Sequence, residues 1–261
     1  MRNVISDPQR ARWDETGWLH LANGLDPDEL AAVRAWTDEL AHRPEAPGRW
    51  TKYFENDRMR GDGRILCRME NFVPFHDGFA HLLLDGPIAA LAAQLLDEPA
   101  VLFKEKINFK LPGGGAFLAH QDGPAYSDFL RYSLSVMLAI DEAGPENGGL
   151  EVARGRFREP LAQTACGDLA PSVVEALSWR PISLQAGDLL FFDCHLPHRS
   201  GPNRTRPRRA LFATYNPASD GDHRERYFER KRALFPPECE RQPGEDYSEA
   251  ERIYNLGNPI E

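Results

Sequence analysis

The pattern of apolar positions in the first hundred residues is typical of helices. Apolar side chains recur at helical spacing over 30–40 and follow Asp26 and Pro27, an N-cap residue and a proline at the first helical position. The pattern therefore predicts a helix over 27–42. A short apolar strand is expected just before it, over 18–21.

The remainder of this front half is less regular. The stretch 44–63 is polar and interrupted by proline and glycine, which predicts a long loop that carries several aromatic residues. The segment 68–72 is expected to enter a second helical region. Apolar residues over 78–96, interrupted at Gly86-Pro87, predict two further helices.

Beyond residue 100 the pattern changes to that of strands. Polar and apolar residues alternate over 101–110, and three apolar runs, 132–140, 187–192 and 209–215, predict buried strands. Short strands separated by Pro, Gly and Asn turns indicate an antiparallel sandwich or barrel. We therefore expect a single, mainly β domain with flanking helices. Its parts are a mainly helical front (1–99), a β core (100–217) and a C-terminal tail (218–261).

Composition and charge exclude several classes of protein. Hydrophobic residues make up 41% of the 261 residues and charged residues 27%, as in an ordinary globular chain. A net charge of −9 argues against nucleic acid as a partner. Because no apolar run approaches about 18 residues, we expect no transmembrane helix and no membrane partner. The N-terminus lacks the apolar core of a signal peptide. Four widely spaced cysteines predict reduced thiols in a cytoplasmic protein.

The tripeptide His120-Gln121-Asp122 is the first candidate for chemistry. Side chains two residues apart point to the same side of an extended strand, so this imidazole and this carboxylate can bind one ion together. An imidazole and a carboxylate of this kind, with a second histidine as third ligand, form the facial triad of non-haem Fe(II) oxygenases. The pair alone is a weak signal, because the chain contains eight histidines and many aspartates.

Two later histidines, His195 and His198, are candidates for the third ligand. Both follow the predicted strand over 187–192, and two arginines, Arg208 and Arg209, lie about ten residues further on. An arginine can bind a carboxylate through two parallel hydrogen bonds. A His-x-Asp pair, a later histidine and a late arginine together indicate a metal centre with a carboxylate-bearing cosubstrate.

The order of these segments resembles the phytanoyl-CoA dioxygenase family of Fe(II)- and 2-oxoglutarate-dependent oxygenases. The resemblance covers residues 100–217 and depends on the combination of segments, since no single one is specific. The matching segments are His120–Asp122, Asp141–Val152, Gly187–Phe192 and His198–Asn203, followed by Arg208-Arg209-Ala-Leu. The segment 152–157 departs from the Pro-Gly-Ser-His that relatives often carry.

The resemblance implies a double-stranded β-helix, a cupin-like jelly roll, with His120, Asp122 and His198 as iron ligands. His195 would then be a neighbour that points elsewhere. Arg209 matches the residue that binds the distal carboxylate of 2-oxoglutarate. Arg208 is the alternative, because the segment Pro207-Arg-Arg can be aligned one residue either way. Alternation along a strand allows only one of the two inside the barrel.

The resemblance extends to other site residues and to the reaction. Ser200 lies near the distal carboxylate, and Asn108 and Lys104 match positions that face the cosubstrate. The implied cofactors are Fe(II), 2-oxoglutarate and O2, and the products of the cosubstrate are succinate and CO2. Related halogenases have a small residue in place of the iron-binding carboxylate, so Asp122 favours hydroxylation or a related oxidation such as desaturation.

The substrate is expected to be a small molecule, and the enzyme a monomer or homodimer. Candidate substrate-facing residues are Tyr126, Arg68, Asn71 and Tyr53. The stretch beginning at Lys106 is similar to members that act on small amino or trimethylamino phosphonates, so a compact polar metabolite or a natural-product intermediate is expected. An acyl-CoA is an alternative substrate. The alternative class is a cupin-like metal-binding protein or isomerase, which needs no arginine for a cosubstrate.

Overall fold

The computed structural model describes residues 4–254 and has two antiparallel sheets as its core. Eleven strands build these sheets within the described residues. In chain order they are β1 (Trp18–Leu21), β2 (Thr51–Asn56), β3 (Arg64–Glu70), β4 (Ala100–Lys110), β5 (Phe117–His120), β6 (Leu134–Ala139), β7 (Leu150–Ala153), β8 (Trp179–Pro181), β9 (Leu189–Asp193), β10 (His198–Ser200) and β11 (Arg208–Pro217).

The large sheet has the strand order β1-β9-β6-β11-β4-β3-β2, and the small sheet has the order β5-β10-β7-β8. Neighbouring strands that are distant in the chain indicate the crossovers of a jelly roll. The strands predicted over 101–110, 132–140, 187–192 and 209–215 are confirmed as β4, β6, β9 and β11. The expected mainly β fold class is likewise confirmed.

Within the described residues the helices are α1 (Asp7–Thr16), α2 (Pro27–His42), α3 (Asp77–Ala80), α4 (Pro87–Leu96), α5 (Asp122–Tyr126), α6 (Pro171–Ala176), α7 (Arg224–Leu234) and α8 (Ser248–Tyr254). Helices α1, α4 and α7 pack on strands of the large sheet.

Local sequence explains why α2 begins where it does. The Asp26 side chain accepts a hydrogen bond from the Glu29 backbone at 2.9 Å, and the Glu29 side chain accepts one from the Asp26 backbone at 2.9 Å. This reciprocal capping satisfies two backbone donors that a helix end leaves free. The predicted helix over 27–42 is confirmed.

The segment Asp77–Leu96 is apolar and long enough to cross a membrane by length and composition alone. In the structure it is interrupted by a π-helical turn, His81–Asp85, before Pro87 begins α4. Ile88, Leu91 and Leu95 of α4 are buried, and the helix packs on β4 and β11. The segment therefore serves as a core helix that covers the sheet.

The two faces of the large sheet have different roles. Ile107, Leu211 and Tyr215 belong to the apolar core shared with the helices. Because side chains alternate along a strand, the neighbouring residues on each strand of the large sheet point to the opposite face, toward the small sheet. There Met137, Leu190 and other apolar side chains form a second core, which leaves polar positions on β4 facing the space between the sheets.

The front half contributes more strands than its pattern predicts. In the segment 68–72, expected to enter a second helical region, residues 68–70 belong to strand β3, and the first helical turn begins only at Val73, so the prediction is wrong for 68–70. The expected loop over 44–63 contains β2. Both strands extend the large sheet through the pairs β2–β3 and β3–β4. Burial on the sheet outweighs local propensity here, and the division into a helical front and a β core stays a prediction.

A cluster of buried charges joins β3 to α7. Glu70 is fully buried, and it contacts Arg68 Nε at 2.9 Å and also the Lys231 ammonium. Burial disfavours the carboxylate, but Lys231, Arg68 and Lys104 outweigh it and hold the pKa of Glu70 below its ordinary value. Glu70 is thus the acid that balances several buried cations.

We expect Glu70→Gln to lower the free energy of unfolding by about 3 kcal/mol, because it leaves two buried cations without their acid. Since the pKa of Glu70 is lower in the folded state, its contribution is present above the ordinary pKa and is lost as the pH falls through the folded one. Urea unfolding at several pH values checks both points.

Asp128→Asn is the matched control, because Asp128 pairs with Arg230 at the exposed surface. It should change the free energy of unfolding by less than about 1 kcal/mol. Equal losses in the two variants at neutral pH would contradict the importance of the buried cluster.

Candidate metal centre and chamber between the sheets

Two histidines meet across the small sheet. His120 at the end of β5 and His198 at the start of β10 are Cα partners in the antiparallel register, and their ring centroids lie 4.2 Å apart. Because directly paired residues project from the same face, both imidazoles point between the sheets. Both side chains are buried.

Asp122 joins this pair because Gln121 keeps an extended backbone, with φ −118° and ψ 139°, before α5 begins. The expectation that positions 120 and 122 face one side is confirmed. The Asp122 Oδ1 lies 3.9 Å from His120 Nε2, and candidate ligand atoms of His120, Asp122 and His198 all lie within 4.8 Å of one another.

Neighbouring groups fix the orientation of the three side chains. Nδ1 of His120 lies 2.7 Å from the Leu118 carbonyl, and Nδ1 of His198 lies 3.0 Å from the Leu196 carbonyl. Since a carbonyl accepts only, each Nδ1 carries the proton and each Nε2 offers its lone pair. The Ser135 hydroxyl donates to Asp122 Oδ2 at 2.9 Å.

The protonation states also suit a metal ion. Burial and the neighbouring His198 lower the pKa of His120 to about 3. Burial opposes ionisation of Asp122, but His198 and His120 outweigh it and lower the pKa of that carboxyl to about 2. At neutral pH the site therefore offers a neutral imidazole at His120 and an ionised carboxylate.

This donor set fits Fe(II). Two imidazole nitrogens and one carboxylate on one side of an ion match the facial triad, which leaves the opposite side open for other ligands. His195 is not in this group: it lies with Asp193 and Cys194, and Asp193 Oδ1 accepts from its backbone N–H at 2.8 Å. The expectation that His195 points elsewhere is confirmed.

We call the cavity around these three residues the central chamber. Its wall includes side chains from both sheets and from α5. Beside the three candidate ligands it is lined by Lys106, Asn108, Phe117, Tyr126, Ser135, Leu150, Phe192, Arg199, Ser200, Arg208, Phe212 and Thr214.

Arg208, and not Arg209, faces the central chamber, so the prediction that Arg209 points inward is wrong. Arg209 binds Asp141 through Nε at 2.7 Å and Nη2 at 2.9 Å, and it also contacts Asp38 of α2. Its Cα partner Phe109 belongs to the core on the helical side, whereas Arg208 pairs with Lys110. As expected, only one of the two arginines points into the chamber, but it is Arg208 and not Arg209.

Arg208 is buried without a counter-ion among residues 4–254. Its exposed fraction is 2%, and Nε and Nη1 have no hydrogen-bond partner there. Burial lowers the pKa of Arg208 to about 10, so the group is still a cation at neutral pH. A buried guanidinium with free donors is suited to bind an anion.

The other cosubstrate candidates lie close to the chamber in different ways. Ser200 lines it and accepts a hydrogen bond from Lys110 Nζ at 2.6 Å. Asn108 also lines it. Lys104 lies behind the wall, where its ammonium donates to the hydroxyls of Tyr126 at 3.0 Å and Tyr227 at 3.3 Å.

Lys106 also lines the chamber, although the sequence analysis did not predict it as a site residue. It lies on β4 between Lys104 and Asn108, so the alternation that brings those two inward also brings Lys106 inward. The two-residue spacing of Lys104, Lys106 and Asn108 could therefore have identified Lys106 from the sequence.

The four candidate substrate residues do not form one site. Tyr126 lines the chamber. Arg68 is held by Glu70, and Tyr53 stacks on Phe235 and donates to its carbonyl at 3.1 Å. Asn71 lines a different cavity, where it accepts a hydrogen bond from Arg224 at 3.1 Å.

The two neighbouring arginines should affect stability in opposite directions. Arg208→Met removes an unpaired buried cation and should raise the free energy of unfolding of the ligand-free protein by about 1–3 kcal/mol. Arg209→Met removes a paired group near the surface and should lower it by about 1 kcal/mol. Urea unfolding without metal or added carboxylates measures both. A loss in Arg208→Met equal to that in Arg209→Met would contradict the assignment of the two side chains.

Comparisons with known proteins agree with this geometry. The family profile described as phytanoyl-CoA dioxygenase (PhyH) matches residues 13–210, which is more than half of the chain. The chain is 44% identical to the 2-aminoethylphosphonate dioxygenase of uncultured bacterium HF130_AEPn_1 over 99% of both chains. It is 39% identical to the methylphosphonate hydroxylase of Gimesia maris over 90% of both chains.

Solved structures show the same fold. The structure of EctD from S. alaskensis with bound Fe superposes with a TM-score of 0.71 at 22% identity, over 83% of this chain and 78% of that one. The epimerase SnoN in complex with Fe3+, alpha ketoglutarate and nogalamycin RO superposes with a TM-score of 0.67 at 20% identity, over 81% and 83%. The chain belongs to the phytanoyl-CoA dioxygenase (PhyH) family and is a 2-oxoglutarate-dependent non-haem iron dioxygenase.

Proposed function

We propose that this enzyme hydroxylates a C–H bond of a small organophosphonate. His120, Asp122 and His198 hold the iron, and Arg208 with Ser200 binds the distal carboxylate of 2-oxoglutarate. The two relatives above, whose names identify phosphonates as their substrates, support this substrate class.

The observation that carries the proposal is the excess of positive charge in the central chamber. Lys106, Arg199 and Arg208 line it, while Asp122 is the acid among the described lining residues. Arg199 is paired with Glu151, whereas Lys106 and Arg208 have no such partner among residues 4–254. Lys110 lies beside Arg208, and burial together with the Arg208 charge holds the pKa of Lys110 well below its ordinary value. One dianionic cosubstrate neutralises the Arg208 end, and a second anion would favour the charged form of Lys106.

The iron with its cosubstrate supplies the oxidation: O2 and 2-oxoglutarate are consumed, C–H becomes C–OH, and succinate and CO2 leave. The chain's own residues bind and orient. Arg208 offers a planar fork to the distal carboxylate, and Ser200 adds a hydroxyl beside it. Ser135 holds Asp122 in place, and Thr214, 3.1 Å from Ser135, continues that hydrogen-bond chain.

Apolar side chains keep the reacting carbon in a dry part of the chamber. Phe117, Leu150, Phe192 and Phe212 line it together with the polar groups. Exclusion of water strengthens the electrostatic contacts of the bound anions and limits side reactions. A cupin-like protein without a cosubstrate does not require the unpaired Arg208, so this arrangement favours the oxygenase.

The ligand assignment predicts different effects for two nearby histidines. His198→Ala should abolish stoichiometric Fe(II) binding, because two ligands remain, whereas His195→Ala should retain it because His195 contacts Asp193 and Cys194. Anaerobic titration with Fe(II) and 2-oxoglutarate, followed through the visible charge-transfer band, measures both. Loss of the band in His195→Ala alone would contradict the assignment.

The substrate class predicts which compounds release succinate. Methylphosphonate and 2-aminoethylphosphonate should stimulate succinate formation well above the substrate-free rate, while carboxylate analogues of the same length and acyl-CoA esters should not. Mass spectrometry should show one added oxygen in the phosphonate. Stimulation by acyl-CoA esters and by no phosphonate would reject the proposed class.

A further inference from the structure

Four side chains of β4 lie in a row on the inner face of the large sheet: Lys104, Lys106, Asn108 and Lys110. Alternate residues on a strand are about 6.6 Å apart, so the row extends about 20 Å along this face of the sheet. At one end the Lys110 ammonium donates a hydrogen bond to the Ser200 hydroxyl, and Lys110 is the strand partner of Arg208. At the other end Lys104 is bonded to two tyrosine hydroxyls. The two middle residues line the chamber itself.

The middle residues are free to bind a ligand. Between residues 4 and 254 neither Lys106 nor Asn108 makes a side-chain hydrogen bond or ion pair, and Asn108 Oδ1 is a buried acceptor without a donor. The Lys106 ammonium lies 5.4 Å from the centroid of the Phe212 ring. The neighbouring cations of the inner face, Lys104 and Lys110, already have partners.

Glu70 is the obvious counter-ion for Lys106, because the two residues are Cα partners in the β3–β4 pairing. Its carboxylate is instead engaged by Arg68 at 2.9 Å and by Lys231 of α7. The arrangement therefore keeps Lys106 unpaired although an acid lies next to it in the sheet.

We propose that Lys106 and Asn108, in the middle of this row, bind the phosphonate group of the substrate. The proposal rests on the function proposed above. The ammonium and the amide N–H groups donate to the phosphonate oxygens, and Phe212 packs against the adjoining carbon. Phosphonates offer three acceptor oxygens and up to two negative charges.

The surrounding charges favour a dianion over a monoanion. Burial lowers the pKa of Lys106 to about 7, and the positive charges of Lys104 and Arg68 contribute. A bound dianion offsets this repulsion more fully than a monoanion does and restores the charged form of Lys106. The subsite should therefore prefer a phosphonate to the sulfonate of the same shape.

Lys106→Met is the test, because methionine keeps the length of the side chain without its charge. We expect the KM for methylphosphonate to rise roughly tenfold to 100-fold, as for loss of a charge-assisted hydrogen bond. The Kd for 2-oxoglutarate, from the visible charge-transfer band, should stay within about twofold. Lys106→Arg should recover part of the affinity.

Two readouts do not depend on turnover. Calorimetry should show inorganic phosphate binding to the iron-free wild-type protein more tightly than sulfate, and Lys106→Met should lose that preference. Arg208→Met is the crossed variant: it should lose 2-oxoglutarate binding and keep the phosphate preference. Thermal unfolding of each variant confirms that it is folded.

The outcomes separate the two proposals. If none of the phosphonates stimulates succinate release by the wild type, the proposed function fails. If the wild type turns over methylphosphonate but Lys106→Met keeps its KM and its phosphate preference, the subsite assignment alone is wrong. Loss of 2-oxoglutarate binding in Lys106→Met, with the phosphate preference intact, would equally overturn it.

Discussion

The pairing of His120 with His198 across β5 and β10 is the constraint on which the rest of the site depends. The two strands are distant in the chain, and their pairing places the centroids of the two imidazole rings 4.2 Å apart. A slip of one residue would turn one imidazole to the outer face of the small sheet. Asp122 follows from the same pairing, because one extended residue, Gln121, separates it from His120.

A second constraint is the charge of the chamber. Arg208 is a buried cation with free donors, and Lys106 lies in the same cavity without a counter-ion among residues 4–254. Such groups lower the stability of the ligand-free protein. Selection for function explains why they are kept: residues that are strained or unpaired without ligands are the ones that bind when ligands arrive.

The sequence was sufficient for the family and for five of the eleven strands in the described residues, and insufficient for two kinds of detail. That His120 and Asp122 face one side could be predicted, because His-x-Asp depends only on the two-residue repeat of a strand. The choice of His198 over His195 depended on the family resemblance. The choice between Arg208 and Arg209 could not be predicted, since alternation gives two phases and both candidates are arginine. The phase is set by pairing with Lys110 and Phe109 of β4, which is a tertiary contact.

Strand β3 shows the same limit for the fold. Its residues 68–70 carry a pattern that also suits the start of a helix, and pairing with β2 and β4 decides the outcome. The consequence reaches the site, because this pairing places Glu70 beside Lys106. Lys231 of α7 and Arg68 then engage Glu70. In the proposed assignment these contacts at the edge of the sheet leave Lys106 free for an anion, so substrate preference depends on a helix that does not itself line the chamber.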